Sequence, residues 1–275
     1  MWLERWRARA AARRKAIPEA LWAQVLQTLP FLLALDAGER TRLRLLCSLF
    51  LDGKEFSGAN GLVITDRIAV LVAAQACLPL LHIAPPERPW QALAWYDDFV
   101  GIVIQPAEVR AHRTAQDDDG VVHHYDEIID GEAMDGGPVM LGWHEIAQAG
   151  ERAEAGCNLV IHEFIHKMDM RDGAADGCPP LPAGFRGHAS PRAAYEEWHD
   201  TWQAAYDDFG QQVVLHERFG APPPWLDPYA AEAPEEFFAV ACEAYFVNRA
   251  AFARHFAALL PLLDAFFLRH VGTAD

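Results

Sequence analysis

The chain has 275 residues, of which 52% are hydrophobic and 23% are charged, and its formal net charge is −16. This composition is typical of globular proteins and excludes the collagenous, coiled-coil and wholly disordered classes. Six of the 23 basic side chains lie in residues 1–15 beside a single acidic one, so the rest of the chain is strongly acidic. Because an acidic surface repels phosphate backbones, we expect no nucleic-acid partner.

The sequence shows no signal for secretion or membrane insertion. The basic start, which carries Trp2 and Trp6, is not followed by an apolar run of signal-peptide length. The most apolar stretch, residues 68–83, is interrupted by Gln75 and Pro79 and is too short to span a bilayer. Five scattered cysteines without a CxxC pair predict neither a disulfide framework nor a thiolate metal site. We therefore expect a cytoplasmic protein without membrane insertion.

The first third of the chain has a helical pattern. Residues 17–19, Ile-Pro-Glu, suit a helix start, and apolar side chains then recur at helical spacing until Pro30. Asp36 is placed to cap a second helix. Residues 58–61, Gly-Ala-Asn-Gly, predict a turn. The apolar run that follows is helical and ends before a proline-rich connector at residues 85–89.

The central part of the chain predicts strands. Residues 100–104, 121–125 and 139–141 are rich in β-branched and apolar side chains and are separated by Asp/Gly-rich turns. Helical patterns return after this block, and helices that flank a block of strands predict the α+β class. We expect an N-terminal helical part over residues 1–89, packed on a second unit over residues 90–275, with the two forming one compact body.

Residues 159–169 contain the pattern HExxH, made of His162, Glu163 and His166. Two histidines four residues apart on a helix point the same way and can bind one metal ion, while the glutamate beside them can hold a water molecule. The alternative is a helix with two surface histidines and a solvated glutamate. A separate apolar stripe argues against that alternative because it predicts a buried face, and it consists of Ile161, Phe164, Ile165 and Met168.

A third ligand is needed, because a catalytic zinc ion usually has three protein ligands and one open position. No histidine follows at the spacing HExxHxxGxxH, so we expect an acidic ligand on a later helix. The candidates are Glu196, Glu197, Glu217, Glu232, Glu235, Glu236 and Glu243. Residues 233–247 predict an apolar helix, in which an acid needs a partner. Spacing alone leaves Glu235 and Glu236 open, since they lie about 100° apart on that helix.

Several longer blocks carry a family resemblance. They are Phe56–Leu62, Ala73–Pro79, Gly137–Val139, His162–Met170 and Asp227–Val240. Through these blocks the chain resembles the Mlc titration factor A family of bacterial metallopeptidases. The resemblance extends over nearly the whole length of the chain. The resemblance implies a zincin-like metallopeptidase fold with a small mixed or antiparallel sheet, in which residues 90–275 are the catalytic domain. It also implies a gluzincin-like zinc peptidase with aminopeptidase-type activity on small peptides.

The resemblance also selects among the site residues. The family is similar to the catalytic domain of anthrax lethal factor, in which a tyrosine seven residues before the glutamate ligand faces the metal. Tyr229 and Glu236 have that separation. The resemblance therefore selects Glu236 over Glu235 as the third ligand and makes Tyr229 an active-site hydroxyl.

The residue that orients a ligand histidine stays open. The thermolysin-type pattern ExxxD is absent because Val240 occupies the place of the second acid. Asp169 and Glu243 are the two alternatives for that role. His123 and His124, which follow an acidic turn, do not predict a second metal site because no spaced acid or histidine completes one on the same element.

Together these features predict a zinc-dependent peptidase. We expect one Zn2+ per chain, bound by His162, His166 and Glu236. Glu163 is expected to accept a proton from the zinc-activated water, and Tyr229 to donate to the oxyanion. The expected partners are a peptide substrate and, from the resemblance, a transcription repressor of the Mlc type. The alternative is a non-catalytic regulatory protein that sequesters a repressor, with a structural or latent zinc site.

Overall fold

The computed structural model describes residues 16–106, 109–116, 122–129, 131–133, 137–173 and 175–270. The helices are α1 (Glu19–Thr28), α2 (Ala37–Gly53), α3 (Asp66–Ala76), α4 (Trp143–Arg152), α5 (Leu159–Asp169), α6 (Pro191–Phe219), α7 (Pro234–Val247), α8 (Arg249–His255) and α9 (Leu260–Phe267). The strands are β1 (Glu55–Gly58), β2 (Gly101–Gln105), β3 (Val109–Gln116), β4 (Val122–Ile129), β5 (Gly131–Ala133) and β6 (Val139–Gly142).

Within the described residues, four strands form a mixed sheet in the order β1-β2-β6-β5. β1, β2 and β6 are parallel, with Phe56 opposite Ile102 and Ile102 opposite Val139. β5 is antiparallel to β6 and is the last strand in that order. β3 and β4 form a separate antiparallel pair. The predicted α+β class is confirmed, and each of the three predicted strands is present.

The sequence does not predict β1. Its four residues, Glu55–Gly58, are mostly exposed and show no alternation of buried and exposed positions. The predicted turn follows directly, with Asn60 and Gly61 at positive φ angles of 50° and 82°. A Cβ atom at Gly58 would lie 1.8 Å from the Leu62 carbonyl oxygen, so this turn requires a glycine. Parallel pairing with β2 therefore makes β1 a strand, and a segment of the N-terminal part joins the central sheet.

The N-terminal helices follow the predicted pattern. Asp36 caps α2 by accepting a hydrogen bond from Glu39 N at 2.7 Å, and the Glu39 carboxylate accepts one from Asp36 N at 2.8 Å. This capping box satisfies two backbone donors at the helix start. Thr65 caps α3, which is buried along most of its length and packs against α1, α2 and α5.

The apolar stripe of α5 packs into the core, as predicted. Its members are each 0% exposed, and they are Ile161, Phe164, Ile165 and Met168. The Phe164 ring lies 4.9 Å from the Tyr96 ring and 5.6 Å from the Phe50 ring. Full burial of such a side chain stabilises the fold by about 1.5–3 kcal/mol. Because α5 has this buried face, the alternative of a freely solvated helix is excluded.

Aromatic contacts hold α7 in place. Trp198 and Trp202 on α6 lie against Phe238 on α7, with ring centroids 5.9 and 5.2 Å apart. These contacts fasten the first turns of α7, which carry Glu236, to the rest of the molecule. Among the described residues, no helix combines the length and the apolar character needed to cross a membrane.

Candidate metal centre

α5 carries both histidines of the HExxH pattern. Asn158 caps this helix by accepting a hydrogen bond from Ile161 N at 3.0 Å. His162 and His166 lie one turn apart, with ring centroids 4.7 Å apart and Nε2 atoms 3.0 Å apart. Their side chains are 10% and 12% exposed. The two Nε2 atoms therefore face a common, sheltered position.

Glu236 completes the group from the first turn of α7. Its Oε2 lies 3.1 Å from His162 Nε2 and 3.3 Å from His166 Nε2. Across the described part of the chain, these three residues form the one group of three or more His, Cys, Asp or Glu side chains placed to hold a metal ion. Ligand atoms about 2.0–2.1 Å from a tetrahedral zinc ion stand about 3.3 Å from one another, close to all three separations. The donor set and its spacing therefore fit a metal such as zinc.

The charges around these atoms favour a cation. Burial raises the pKa of the Glu236 carboxyl, but hydrogen bonds to His162 and His166 outweigh burial and hold that pKa well below its usual range. Burial lowers the pKa of His162, yet its hydrogen bonds to Glu236 and Glu243 raise that pKa well above the usual value. Burial lowers the pKa of His166. Carboxylates that draw a proton to these nitrogens also favour a metal ion there.

A series of buried polar side chains supports His162 at its Nδ1 atom. Glu243 Oε1 lies 2.8 Å from His162 Nδ1, and Glu243 Oε2 accepts a hydrogen bond from Asn158 N. Asn158 in turn donates from Nδ2 to Gln75 Oε1 at 2.9 Å. Because a carboxylate holds Nδ1 of His162, its Nε2 is left to face the other two ligand atoms.

Of the two acids considered for orienting a histidine, Glu243 is the one in contact with His162. Asp169 lies at the other end of α5, where its Oδ2 accepts a backbone hydrogen bond at 2.9 Å. Sequence reasoning missed Asn158 and Gln75 as parts of the site. Two signals point to them: Gln75 interrupts an apolar helix, and Asn158 stands directly before α5.

The two predicted catalytic side chains lie beside the ligands. Glu163 is 3% exposed, and its charge contributes to the raised pKa of His162. Tyr229 lies in the short 3-10 helix Pro228–Ala231, with its ring centroid 6.3 Å from that of His162, and it is 39% exposed. Tyr206 on α6 donates to the backbone of that short helix at 2.9 Å. Tyr229 therefore lies on the solvent-exposed side of the site, and Glu243 lies on its buried side.

The other acidic candidates lie outside the group of three ligand residues. These candidates are Glu196, Glu197, Glu217, Glu232 and Glu235. Glu197 instead pairs with Arg186 at 3.0 Å and with His188 at 2.7 Å. The structure thus places Glu236, and not its neighbour Glu235, beside the histidines. The side chains of His123 and His124 are not among those described.

The chain is similar in sequence to several known proteins. The sequence profile of the glucose-regulated metallo-peptidase M90 family matches residues 3–268, so the chain belongs to that family. An uncharacterized protein of Synechocystis is 33% identical over 89% of this chain and 81% of its own length. Two proteins named Mlc titration factor A, from Salmonella arizonae and Escherichia coli, are 32% and 30% identical, over 90% and 98% of this chain and 90% and 95% of their own lengths. The predicted family resemblance is confirmed.

Proposed function

We propose that the protein is a zinc-dependent peptidase, with a zincin-like catalytic domain over residues 90–275 and a helical part over residues 1–89 packed on it. The observation that carries the proposal is the convergence of His162 Nε2, His166 Nε2 and Glu236 Oε2, at separations of 3.0, 3.1 and 3.3 Å. These residues would hold one Zn2+ per chain. Membership of a metallopeptidase family supports the same function.

Glu163 and Tyr229 are the residues that would move and donate protons. When bound, zinc supplies Lewis acidity, which lowers the pKa of a water molecule toward about 7 and polarises a carbonyl. Glu163 accepts the proton of the attacking water and delivers it to the leaving amine. Tyr229 donates a hydrogen bond to the oxyanion of the tetrahedral intermediate, an effect typically worth about 3 kcal/mol. Glu243 keeps His162 in a single tautomer throughout.

An extended peptide is the substrate that suits the sheet. β5 pairs with β6 and is the last strand in the sheet order, and α5 packs against both strands. A peptide that adds to the outer edge of β5 forms backbone hydrogen bonds there and runs past the metal ligands. The antiparallel edge strand beside the HExxH helix supports a zincin-like arrangement. Aminopeptidase-type action on small peptides is proposed from the family resemblance alone.

Zinc content and turnover, measured on the same proteins, test this function. We expect near one zinc per chain by elemental analysis in the native protein, and loss of zinc in Glu236→Ala. Glu235→Ala is the matched control and should keep its zinc. Glu163→Gln should also keep zinc, while peptide turnover falls by about a thousandfold because the general base is lost. Absence of zinc from the native protein after dialysis against it, or full activity in Glu163→Gln, would overturn the proposal.

A second, regulatory role is favoured by the relatives named Mlc titration factor A. We propose that this chain also binds a transcription repressor of the Mlc type, in the cytoplasm. Size-exclusion chromatography of the native protein mixed with purified Mlc measures complex formation, and Glu236→Ala shows whether the complex needs the metal. A complex that survives loss of zinc, in a protein that turns over no peptide, favours the non-catalytic alternative. No complex at all contradicts the regulatory role.

A further inference from the structure

A buried lysine follows a predicted metal ligand directly in the sequence. Lys167 lies after His166 on α5 and is 0% exposed. Lysine is rarely buried, because removing an ammonium group from water is costly unless partners replace the water. Its Nζ donates to Gly137 O at 3.1 Å, lies 3.8 Å from Asp98 Oδ2 and stands 4.9 Å from the centroid of the Phe99 ring. The ammonium group therefore has specific partners inside the fold.

Lys167 is one of three cations around the turn at residues 96–99, which leads into β2. Lys54 Nζ donates to two backbone carbonyls of this turn and lies 3.7 Å from the centroid of the turn's phenylalanine ring. Arg171 pairs with two carboxylates of the same turn, at 3.0 and 3.4 Å. Lys54 and Arg171 therefore support this turn together with Lys167. Among the contacts described, Lys167 is the one of the three cations that donates a hydrogen bond to Gly137.

Gly137 lies in the connection between β5, the last strand in the sheet order, and its neighbour β6. It precedes β6 by two residues, and β6 pairs with β5 through Gly131 opposite Leu141 and Ala133 opposite Val139. The hydrogen bond from Lys167 therefore joins the helix that carries both histidines to the connection between β5 and β6. This bond adds to the pairing of β5 with β6 and to the packing of β5 on α5.

We propose that Lys167 is a positioning residue for peptide substrates. It holds β5 at a fixed place beside α5, so that a peptide paired with the edge strand presents its scissile bond to Glu163. The proposal rests on the proposed peptidase function and adds to it a residue that acts on substrate placement. A substrate with no peptide groups beyond the scissile amide gains little from β5, so the contribution of Lys167 must grow with substrate length.

Two substrates and two variants test this length dependence. Lys167→Met keeps the length of the side chain and removes the charge, and Lys54→Met makes the same change on the other lysine of the cluster. We compare kcat/KM for leucine 4-nitroanilide with kcat/KM for a hexapeptide that begins with leucine. In Lys167→Met we expect the hexapeptide-to-anilide ratio to fall by about tenfold through KM, the size of a lost backbone hydrogen bond. Lys54→Met should keep the native ratio.

An unchanged ratio in Lys167→Met, or an equal fall in Lys54→Met, overturns the proposal. Where Lys167→Met does not fold, Lys167→Arg gives the same test, because a planar guanidinium cannot replace the compact ammonium at Gly137 without displacing the backbone. Amide hydrogen exchange in β5 and β6 reads the strand position without any turnover. Exchange faster in Lys167→Met than in Lys54→Met supports the proposal, and equal exchange contradicts it, even if the peptidase function itself fails.

Discussion

The two ends of α5 are each held by a buried carboxylate, and the two carboxylates have different partners. At the N-terminal end, Glu243 uses one oxygen with His162 Nδ1 and the other with Asn158 N. At the C-terminal end, Asp169 uses Oδ2 with Gly177 N, while its Oδ1 has no hydrogen-bond partner in the described part of the chain. Burial therefore penalises the charge on Asp169, whereas hydrogen bonds offset that penalty for Glu243.

The difference matches what each end must do. Burial raises the pKa of Asp169 to about 8, and neighbouring acidic side chains act in the same direction. This end fastens the loop at Gly177, where an added Cβ would lie 3.0 Å from Pro234 O at the start of α7. Such packing needs one hydrogen bond and no fixed charge. The other end must orient a metal ligand, and there each of the two oxygens of the Glu243 carboxylate has a hydrogen-bond partner.

Replacing Glu243 should give the largest effect. Glu243→Ala removes the acceptor for both His162 Nδ1 and Asn158 N, so we expect zinc affinity to fall by about 100-fold. Glu243→Gln keeps an acceptor oxygen and should lose about tenfold. Competition with a chelator measures both values. Asp169→Asn is the control from the other end and should change zinc affinity by less than about threefold; equal losses at the two ends would contradict the comparison.

Asp169 should affect stability rather than metal binding. Its folded pKa of about 8 lies above the unfolded value, so the folded state binds the proton more tightly. The stability that it contributes is complete below about pH 4 and is lost as the pH rises through 8. Between pH 5 and 6.5, we expect the free energy of unfolding to fall by about 2 kcal/mol in the metal-free protein, and by less in Asp169→Asn. Urea unfolding at both pH values measures this, and equal slopes would show that Asp169 is not the titrating group.

Asn158 should give a smaller effect, because its backbone N–H, which bonds to Glu243, survives any substitution except proline. Asn158→Ala removes the side-chain cap of α5 and the bond to Gln75, so we expect a loss of about 1–2 kcal/mol in the free energy of unfolding. Asn158→Ser keeps a capping oxygen and should recover most of that loss. If the serine variant is as unstable as the alanine variant, the bond to Gln75, and not the cap, holds this end.

The parts of the site that local spacing determines are predictable from the sequence. His162, Glu163 and His166 lie within one and a half turns of a helix, and the periodicity of the apolar residues beside them predicts which face is buried. Glu236 lies 70 residues beyond His166. Spacing on an isolated helix leaves it equivalent to Glu235, so its selection needed a family pattern that relates it to Tyr229.

The support behind the site depends on contacts that no local pattern encodes. Asn158 bonds to partners 83 and 85 residues away, on two different helices. A single glutamine in an apolar helix indicates that a partner exists and does not identify it. β1 poses the same problem, because its four mostly exposed residues become a strand through pairing with β2. Tertiary context overrides local preference in both cases.

Gln75 should give the smallest effect, and it shows how far the support of His162 extends. It is 0% exposed, donates to Leu71 O at 2.8 Å and accepts from Asn158 Nδ2 at 2.9 Å. Gln75→Leu keeps a similar volume and leaves one buried donor of Asn158 without this acceptor, so we expect a stability loss of about 1 kcal/mol. Glu243 keeps its bonds to His162 and to Asn158 N, so zinc affinity should change by less than about threefold. A loss as large as that in Glu243→Ala would mean that the whole polar chain, and not the carboxylate alone, orients the histidine.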